Sequence, residues 1–306
     1  MKSSCWILFF AIALLPGLVS CGARDVSSRP LVAATIFPLA DWCKILAPAG
    51  TDVMCVIPPN HDHHIFDPSI QDAKKLSRAR CAIGIGLGFD NWIQPLIQGA
   101  AGGEIPILLL GQTNRSDDYA YTPGEAVPAH FSQNNPHLWL DPIWAQEAVM
   151  AISQELQSVF PEDRAGIEER TLNYQSQLRD LHFRVAETIN RLHYKQFVGD
   201  HSAFYHFCMR YGLEEIASLE PWPGKELSIL ERKQLIDRLR DLEHPVIFME
   251  PLSNDPSARL LAEEVPCSLY ELDPIGNPTI AGRNSYLNFM RFNLHSLEKG
   301  LGDESQ

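Results

Sequence analysis

Eleven histidines are spread over the 306 residues of the chain, and a few of them fall where a metal could be held. His61, His63 and His64 crowd into one polar turn, PPNHDHH, directly after the apolar run DVMCVI. His137 stands where a long polar loop meets HLWLD, His201 directly follows KQFVGD, and Asp273 ends SLYELD. The imidazoles of His64, His137 and His201 with the carboxylate of Asp273 suit a first-row divalent ion, most naturally Zn²⁺ in a tetrahedral site. Spacing alone does not assemble these four, because a single histidine is more often an ordinary surface or core residue. His130, His182, His193, His206, His244 and His295 are read as ordinary. So are His61 and His63, with transient capture of metal beside a site as their alternative role.

Such residues need a frame. LVAATI, DVMCVI, CAIGIGLG and IPILLL are short apolar runs that read as buried strands, and amphipathic stretches such as PLADWCKILA and NWIQPLIQGA separate them. This alternation predicts an α/β unit with a largely parallel sheet. Residues 112–136 then form a long polar loop, and HLWLD reads as a short strand. Residues 145–160 are helical up to Pro161, where Pro-Glu-Asp makes a good helix start. A helix of about 30 residues and about 45 Å should follow to residue 194, its apolar stripe carried by Ile167, Leu172, Leu178, Leu181, Val185, Ile189 and Leu192. After it the alternation restarts with KQFVGD, EEIASLE, HPVIFME and SLYELDP as strands. The expected fold is therefore α/β, with two lobes, each a mainly parallel sheet flanked by helices, joined by one long rigid helix. In open parallel sheets ligands bind beyond the carboxyl ends of strands. His64, His201 and Asp273 have that position, whereas His137 leads into its strand.

The amino terminus speaks to compartment. The apolar stretch CWILFFAIALLPGLV follows Lys2, has the length of a signal-peptide core, is short for a membrane span and is broken by Pro16. It ends in LVSCG, which is similar to the bacterial lipobox, whose cysteine receives diacylglycerol; Cys21 is the expected lipidation point. Removing residues 1–20 takes away one basic residue and no acid, so the net charge moves from −13 to −14. An acidic body of this kind argues against nucleic-acid binding and fits a cation ligand. Cys43, Cys55, Cys81, Cys208 and Cys267 are left, an odd set without CxxC spacing, so buried thiols are expected and no disulfide pairing can be chosen. The division expected is a signal at 1–20, a first lobe at 21–160, a linking helix at 161–194 and a second lobe at 195–306.

The order of motifs resembles the metal-binding subunits of bacterial ABC importers for zinc and manganese, the TroA/ZnuA-like cluster. It runs TIFPLADWCKILAPAGTDVMCVIPP, HDHHIFDPSIQDAKKLSRARCAIGIGLGFDNWI, NPHLWLDPIWA, FVGDHSAFYHFCMRYGL, IFMEPLSNDPSARLLAEEV and LYELDPIG, covering nearly the whole chain after the signal. The resemblance implies that HIFDP makes His64 the first ligand, NPHLWLDP makes His137 the second, GDHSAFYHF makes His201 the third and LDPIG makes Asp273 the fourth. It also implies a monomer that carries Zn²⁺, with Mn²⁺ or Fe²⁺ as alternatives, to an ABC permease, held at the membrane by lipid on Cys21 or free in the periplasm. Two departures stand out. His63 occupies a position that is commonly proline, and the loop before the second ligand, often histidine-rich in zinc-specific members, holds only His130. Manganese-type members often have glutamate at the position of His201, so imidazole there favours zinc. Metal affinity should fall as histidines protonate below roughly pH 6.5. A zinc hydrolase using Asp273 or Glu250 as base is a competing reading, weakened by the lack of HExxH; a surface adhesin and a cobalamin or siderophore binder are others.

Overall fold

The computed structural model describes residues 29–101, 105–113, 135–220, 227–251 and 256–302. Cys21, His130 and most of loop 112–136 lie outside them. The chain begins with β1 (Leu31–Ala34), α1 (Phe37–Leu46), β2 (Asp52–Cys55), α2 (Ile70–Leu76), β3 (Ala79–Gly84), α3 (Ile93–Ala101), β4 (Ile107–Leu109) and the single turn α4 (Leu110–Thr113). Two long helices follow, α5 (Pro142–Val159) and α6 (Arg164–Arg191). The second half holds β5 (Gln196–Gly199), α7 (Tyr205–Tyr211), β6 (Glu214–Ser218), α8 (Ile229–Asp241), β7 (Val246–Met249), α9 (Ser257–Glu264), β8 (Ser268–Glu271) and α10 (Tyr286–Leu301).

The strands form two four-stranded parallel sheets ordered β2-β1-β3-β4 and β6-β5-β7-β8. The same order in both means that each sheet changes winding direction beside its first strand, between β1 and β3 and between β5 and β7. Such switch points open crevices at the carboxyl ends of strands. Near-continuous apolar runs suit strands covered on both faces, and in β3 only Arg80 is exposed.

HLWLD is not a strand. Leu138–Leu140 make one 3-10 turn in which all three side chains are buried, so the apolar run that reads as a strand is equally met by a buried turn. Pro136 precedes the turn, and the Asp141 carboxylate ends it by accepting from the Ile143 amide at 2.9 Å, starting α5 at Pro142.

α6 runs unbroken for 28 residues, about 42 Å at 1.5 Å per residue. Its buried face carries Ile167, Thr171, Tyr174, Gln175, Leu178, Leu181, Val185, Thr188 and Ile189. Leu172, expected in the stripe, is 62% exposed; the polar neighbours Thr171 and Gln175 take the inner positions instead. They can do so because each is satisfied: Thr171 Oγ1 donates to the Ile167 carbonyl at 2.7 Å and Gln175 Nε2 to the Gln146 carbonyl of α5 at 2.6 Å.

One buried apolar cluster runs through the whole molecule, from Val32, Trp42 and Ile83 through Trp144, Leu178 and Val185 to Phe197, Phe248 and Leu297. The two sheets thus share a core as well as a linking helix. α10 returns across this core: the Tyr286 amide donates to Asp41 at 2.8 Å, and its hydroxyl donates to the Trp139 carbonyl at 2.8 Å. Cys43, Cys55, Cys81, Cys208 and Cys267 are free thiols, and burial pushes Cys55 and Cys81 up to about 12. Among the described residues no helix is long and apolar enough to cross a membrane.

Candidate metal centre

The loop after β2 leaves the sheet through Pro58 and Pro59, turns at Asn60 with φ of 64°, and is tightened where the His64 amide donates to Asp62 Oδ1 at 2.8 Å. Asparagine tolerates the left-handed region better than most residues. The loop ends at Ser69, which caps α2 in a reciprocal box with Asp72. His63 and His64 are thereby held side by side, ring centroids 4.3 Å apart.

The aromatic wall beside them comes from the glycine run after β3. Gly86, Leu87 and Gly88 have φ of 79°, 55° and 89°, and the buried Asp90 carboxylate accepts from the Ile85 and Gly86 amides at 2.7 Å each. This turn sets Phe89 against His63, His64, His137 and Trp139, with centroids 5.6, 5.7, 6.3 and 5.5 Å away.

His137 is buried, and Asn135 fixes it twice: the asparagine Oδ1 accepts from the His137 amide at 3.0 Å and lies 2.8 Å from Nδ1. Asn135 Nδ2 in turn donates to the Ser202 carbonyl at 2.6 Å, which ties this residue to the second sheet. His201 follows β5, and Glu250 follows β7, the neighbouring strand at the switch point. The Glu250 carboxylate forms an ion pair with His201 Nδ1, and the Glu250 amide donates to Asp200 at 3.2 Å.

With their Nδ1 atoms so engaged, His137 and His201 aim Nε2 into the cleft. His201 Nε2 lies 3.1 Å from His137 Nε2 and 3.2 Å from His64 Nε2. Nitrogens about 2.05 Å from a tetrahedral zinc ion stand about 3.3 Å apart, so the three already have that spacing. A histidine ligand whose second nitrogen is held by a carboxylate or a carbonyl oxygen is the usual outer-shell arrangement of a metal site.

Asp273, the expected fourth ligand, stands outside the tightest group of candidate donors among the described residues. The ligand atoms that lie within 4.8 Å of one another belong to His63, His64, His137 and His201. Asp273 is buried nearby, but its Oδ1 accepts from the Ile275 and Gly276 amides at 3.0 and 2.8 Å, and its Oδ2 pairs with Arg283 at 3.3 Å. His61 is exposed, 3.3 Å from the Pro59 carbonyl, and outside the group. The sequence pattern did not single out Phe89, Asn135 or Glu215. Glu215 had one weak signal, an acid inside the strand run EEIASLE; Asn135 and Phe89 stood within motifs whose inner geometry only folding reveals.

Charge is divided sharply within this cluster. Burial, followed by the charge of His201, pulls His64 down to about 3. Burial and neighbouring imidazoles also hold His63 and His137 well below the ordinary imidazole value. Burial acts the same way on His201, but Glu250, Glu215 and Asp200 together overcome it and raise that residue to about 9. Glu215 is itself buried, which lifts it to about 8 against the pull of His201. His63, His64 and His137 thus face the cleft as neutral imidazoles, and His201, backed by Glu250 and Asp200, carries the one proton that a metal ion would replace.

A two-lobed α/β frame with a histidine cluster at the strand ends defines a cleft-type metal-binding protein. Residues 32–300 match the family model described as zinc-uptake complex component A, periplasmic, and the chain belongs to that family. It is 24% identical over 301 residues to the zinc-binding lipoprotein AdcA of Streptococcus pneumoniae, an alignment covering 94% of this chain and 59% of AdcA, so this chain spans only part of that relative's length. It is also 24% identical over 312 residues to the manganese ABC transporter substrate-binding lipoprotein PsaA of Streptococcus mitis, covering 97% of each. In fold it is similar to the periplasmic zinc binding protein TroA from Treponema pallidum, with a TM-score of 0.78, 20% identity, and coverage of 90% of this chain and all of that one.

Proposed function

We propose that this protein captures a divalent transition metal, Zn²⁺ before Mn²⁺, in the cleft between its sheets and delivers it to the permease of an ABC importer. The observation that carries this reading is the convergence of the Nε2 atoms of His64, His137 and His201, two of them oriented through Nδ1. Imidazole donors favour zinc over manganese, which prefers oxygen. Asp273 and His63 compete for the fourth position. With a closed set of four donors the ion is cargo; a catalytic zinc would need an open position for water.

Family membership, the names of AdcA and PsaA and the lipobox-like segment support an exported chain, tethered by lipid on Cys21, working as a monomer beside its permease. The division into 21–160, 161–194 and 195–306 accompanies this reading, with the metal held between first and second lobes. Metal analysis of protein purified without chelators, followed by Zn²⁺ and Mn²⁺ competition calorimetry on wild type and His201→Ala, tests it. One zinc per chain is expected, with affinity lost by orders of magnitude in the variant; unchanged affinity in His201→Ala would sink the assignment.

A further inference from the structure

Resting on the proposed capture of a metal by His64, His137 and His201, we propose that the fourth donor is His63, so that the ion sits in a shell of four neutral imidazoles. The first observation is positional. Each of the four histidines offers one ligand atom, and no two of those atoms are more than 4.8 Å apart. Contraction to a tetrahedral edge of about 3.3 Å asks a shift of about 1.5 Å or less of the most distant pair.

The second observation is an unmet polar atom. His63 is 6% exposed, and its Nε2 is shut off from solvent without a hydrogen-bond partner. Leaving a buried polar group unpaired is costly, and imidazole is a poor choice for mere packing against Phe89 when phenylalanine or leucine would fill the same space. A metal ligand has a reason to carry that cost.

The third observation concerns the rival. Both oxygens of Asp273 are engaged, one by two backbone amides and the other by Arg283. Its backbone is also clamped, with the Asp273 amide donating to Asn293 Oδ1 and the Asp273 carbonyl accepting from Asn293 Nδ2, both at 2.7 Å. Asp273 therefore has a complete role as the cap of the turn after β8.

The consequence is selectivity. A shell without oxygen disfavours Mn²⁺ and suits Zn²⁺. The ion's double charge would be balanced from outside the shell by the carboxylates of Glu250, on His201 Nδ1, and Asp200, which accepts from the Glu250 amide.

The test compares His63→Phe, which keeps a ring against Phe89, with Asp273→Asn, which keeps the turn's acceptor, in the mature chain. X-ray absorption of the zinc-loaded wild type should show four imidazole nitrogens. Zinc affinity should fall by about 100-fold or more in His63→Phe, beyond the usual cost of an outer-shell loss, and by about tenfold or less in Asp273→Asn. Melting curves of the metal-free variants establish that both fold. Three imidazoles with an oxygen in the absorption spectrum, or a greater loss in Asp273→Asn than in His63→Phe, overturns the assignment of His63 while leaving capture by the other three histidines standing. If His201→Ala also binds zinc normally, the capture reading itself fails.

Discussion

The carboxylate of Glu250 lies on Nδ1 of His201, opposite the ring edge whose Nε2 meets His64 and His137. Neighbouring parallel strands β5 and β7 make the pairing, each ending just before its residue. Glu250 thus does two things with one contact. It fixes the plane of the ring, and it lets His201 carry a proton that its burial alone would expel. In the cationic ring the Nε2 proton faces the lone pairs of two neutral imidazoles. A proton therefore stands where a metal ion would stand.

Replacing Glu250 with Gln keeps the shape and removes the charge. Zinc affinity should fall by about 10- to 100-fold, the range for loss of an outer-shell partner. The His201 resonance should titrate at lower pH than in wild type, because the first of the raising influences is gone. Calorimetry and histidine NMR read the two effects separately, and wild-type values in both would remove Glu250 from the site.

Metal uptake should release close to one proton per ion at pH 7.5. His201 is raised to about 9 and so holds its proton there, while His64 at about 3 has none to lose. Affinity should rise with pH up to about 9 and level off above it. This moves the fall in affinity upward from the ordinary imidazole range near 6.5 that composition suggests. For the metal-free protein the sign is opposite. The stabilisation from His201 is fully present below its unfolded value of about 6.5 and is lost as pH rises through about 9. Calorimetry in buffers of different ionisation enthalpy counts the protons; a count of zero at pH 7.5 contradicts the charge assigned to His201.

Much of this was legible before folding. The strand and helix order, the parallel sheets and the long α6 follow from apolar runs and helical periodicity, because in α/β proteins each element must bury a face against its neighbour. Even so, Leu172 faces water while Thr171 and Gln175 are buried, since hydrogen bonds to Ile167 and Gln146 reverse the choice hydropathy makes. At the site, His64, His137 and His201 could be named from motif order. The crowding of His63 onto them could not, because it depends on the turn at Asn60 and the wall of Phe89. Likewise the pairing of His201 with Glu250 joins residues separated by two helices and two strands, and only strand order brings them together.

Glu215 offers a test of buried charge away from the convergent nitrogens. Burial raises it from 4.5 to about 8, so the folded chain keeps it protonated where the unfolded chain does not. Its stabilising contribution is whole below about 4.5 and is lost as pH climbs toward 8. Glu215→Gln cannot ionise and escapes that loss. The melting temperature of the metal-free variant, relative to wild type, should therefore climb between pH 5 and pH 8 and flatten beyond. A constant difference across that window contradicts the buried, protonated state.

Lipid attachment at Cys21 makes a cellular prediction. Expressed in a bacterium that processes lipoproteins, the wild-type chain should incorporate a labelled fatty acid and pellet with membranes. Cys21→Ser should lose the label and leave the membrane fraction. Several acyl chains anchor a protein stably whereas none leaves only weak surface contact, so the two fractions should separate cleanly. An unlabelled wild-type chain contradicts the anchor without touching the metal site.

Tyr286 tests how the halves are coupled. Its hydroxyl donates to the Trp139 carbonyl, its ring meets Trp42 edge-on with centroids 4.9 Å apart, and it is fully buried at the start of α10. Trp139 in turn donates from Nε1 to the Pro274 carbonyl at 2.6 Å, in the turn that Asp273 caps. Tyr286→Phe keeps the ring and strands the Trp139 carbonyl, at a cost of about 1–3 kcal/mol. The melting temperature should drop by a few degrees, with no change in the number of zinc ions bound. Because α6 and the shared core remain, unfolding should stay a single transition. Two separated transitions in the variant, monitored by calorimetry, would show that α10 and not the common core makes the two sheets unfold together.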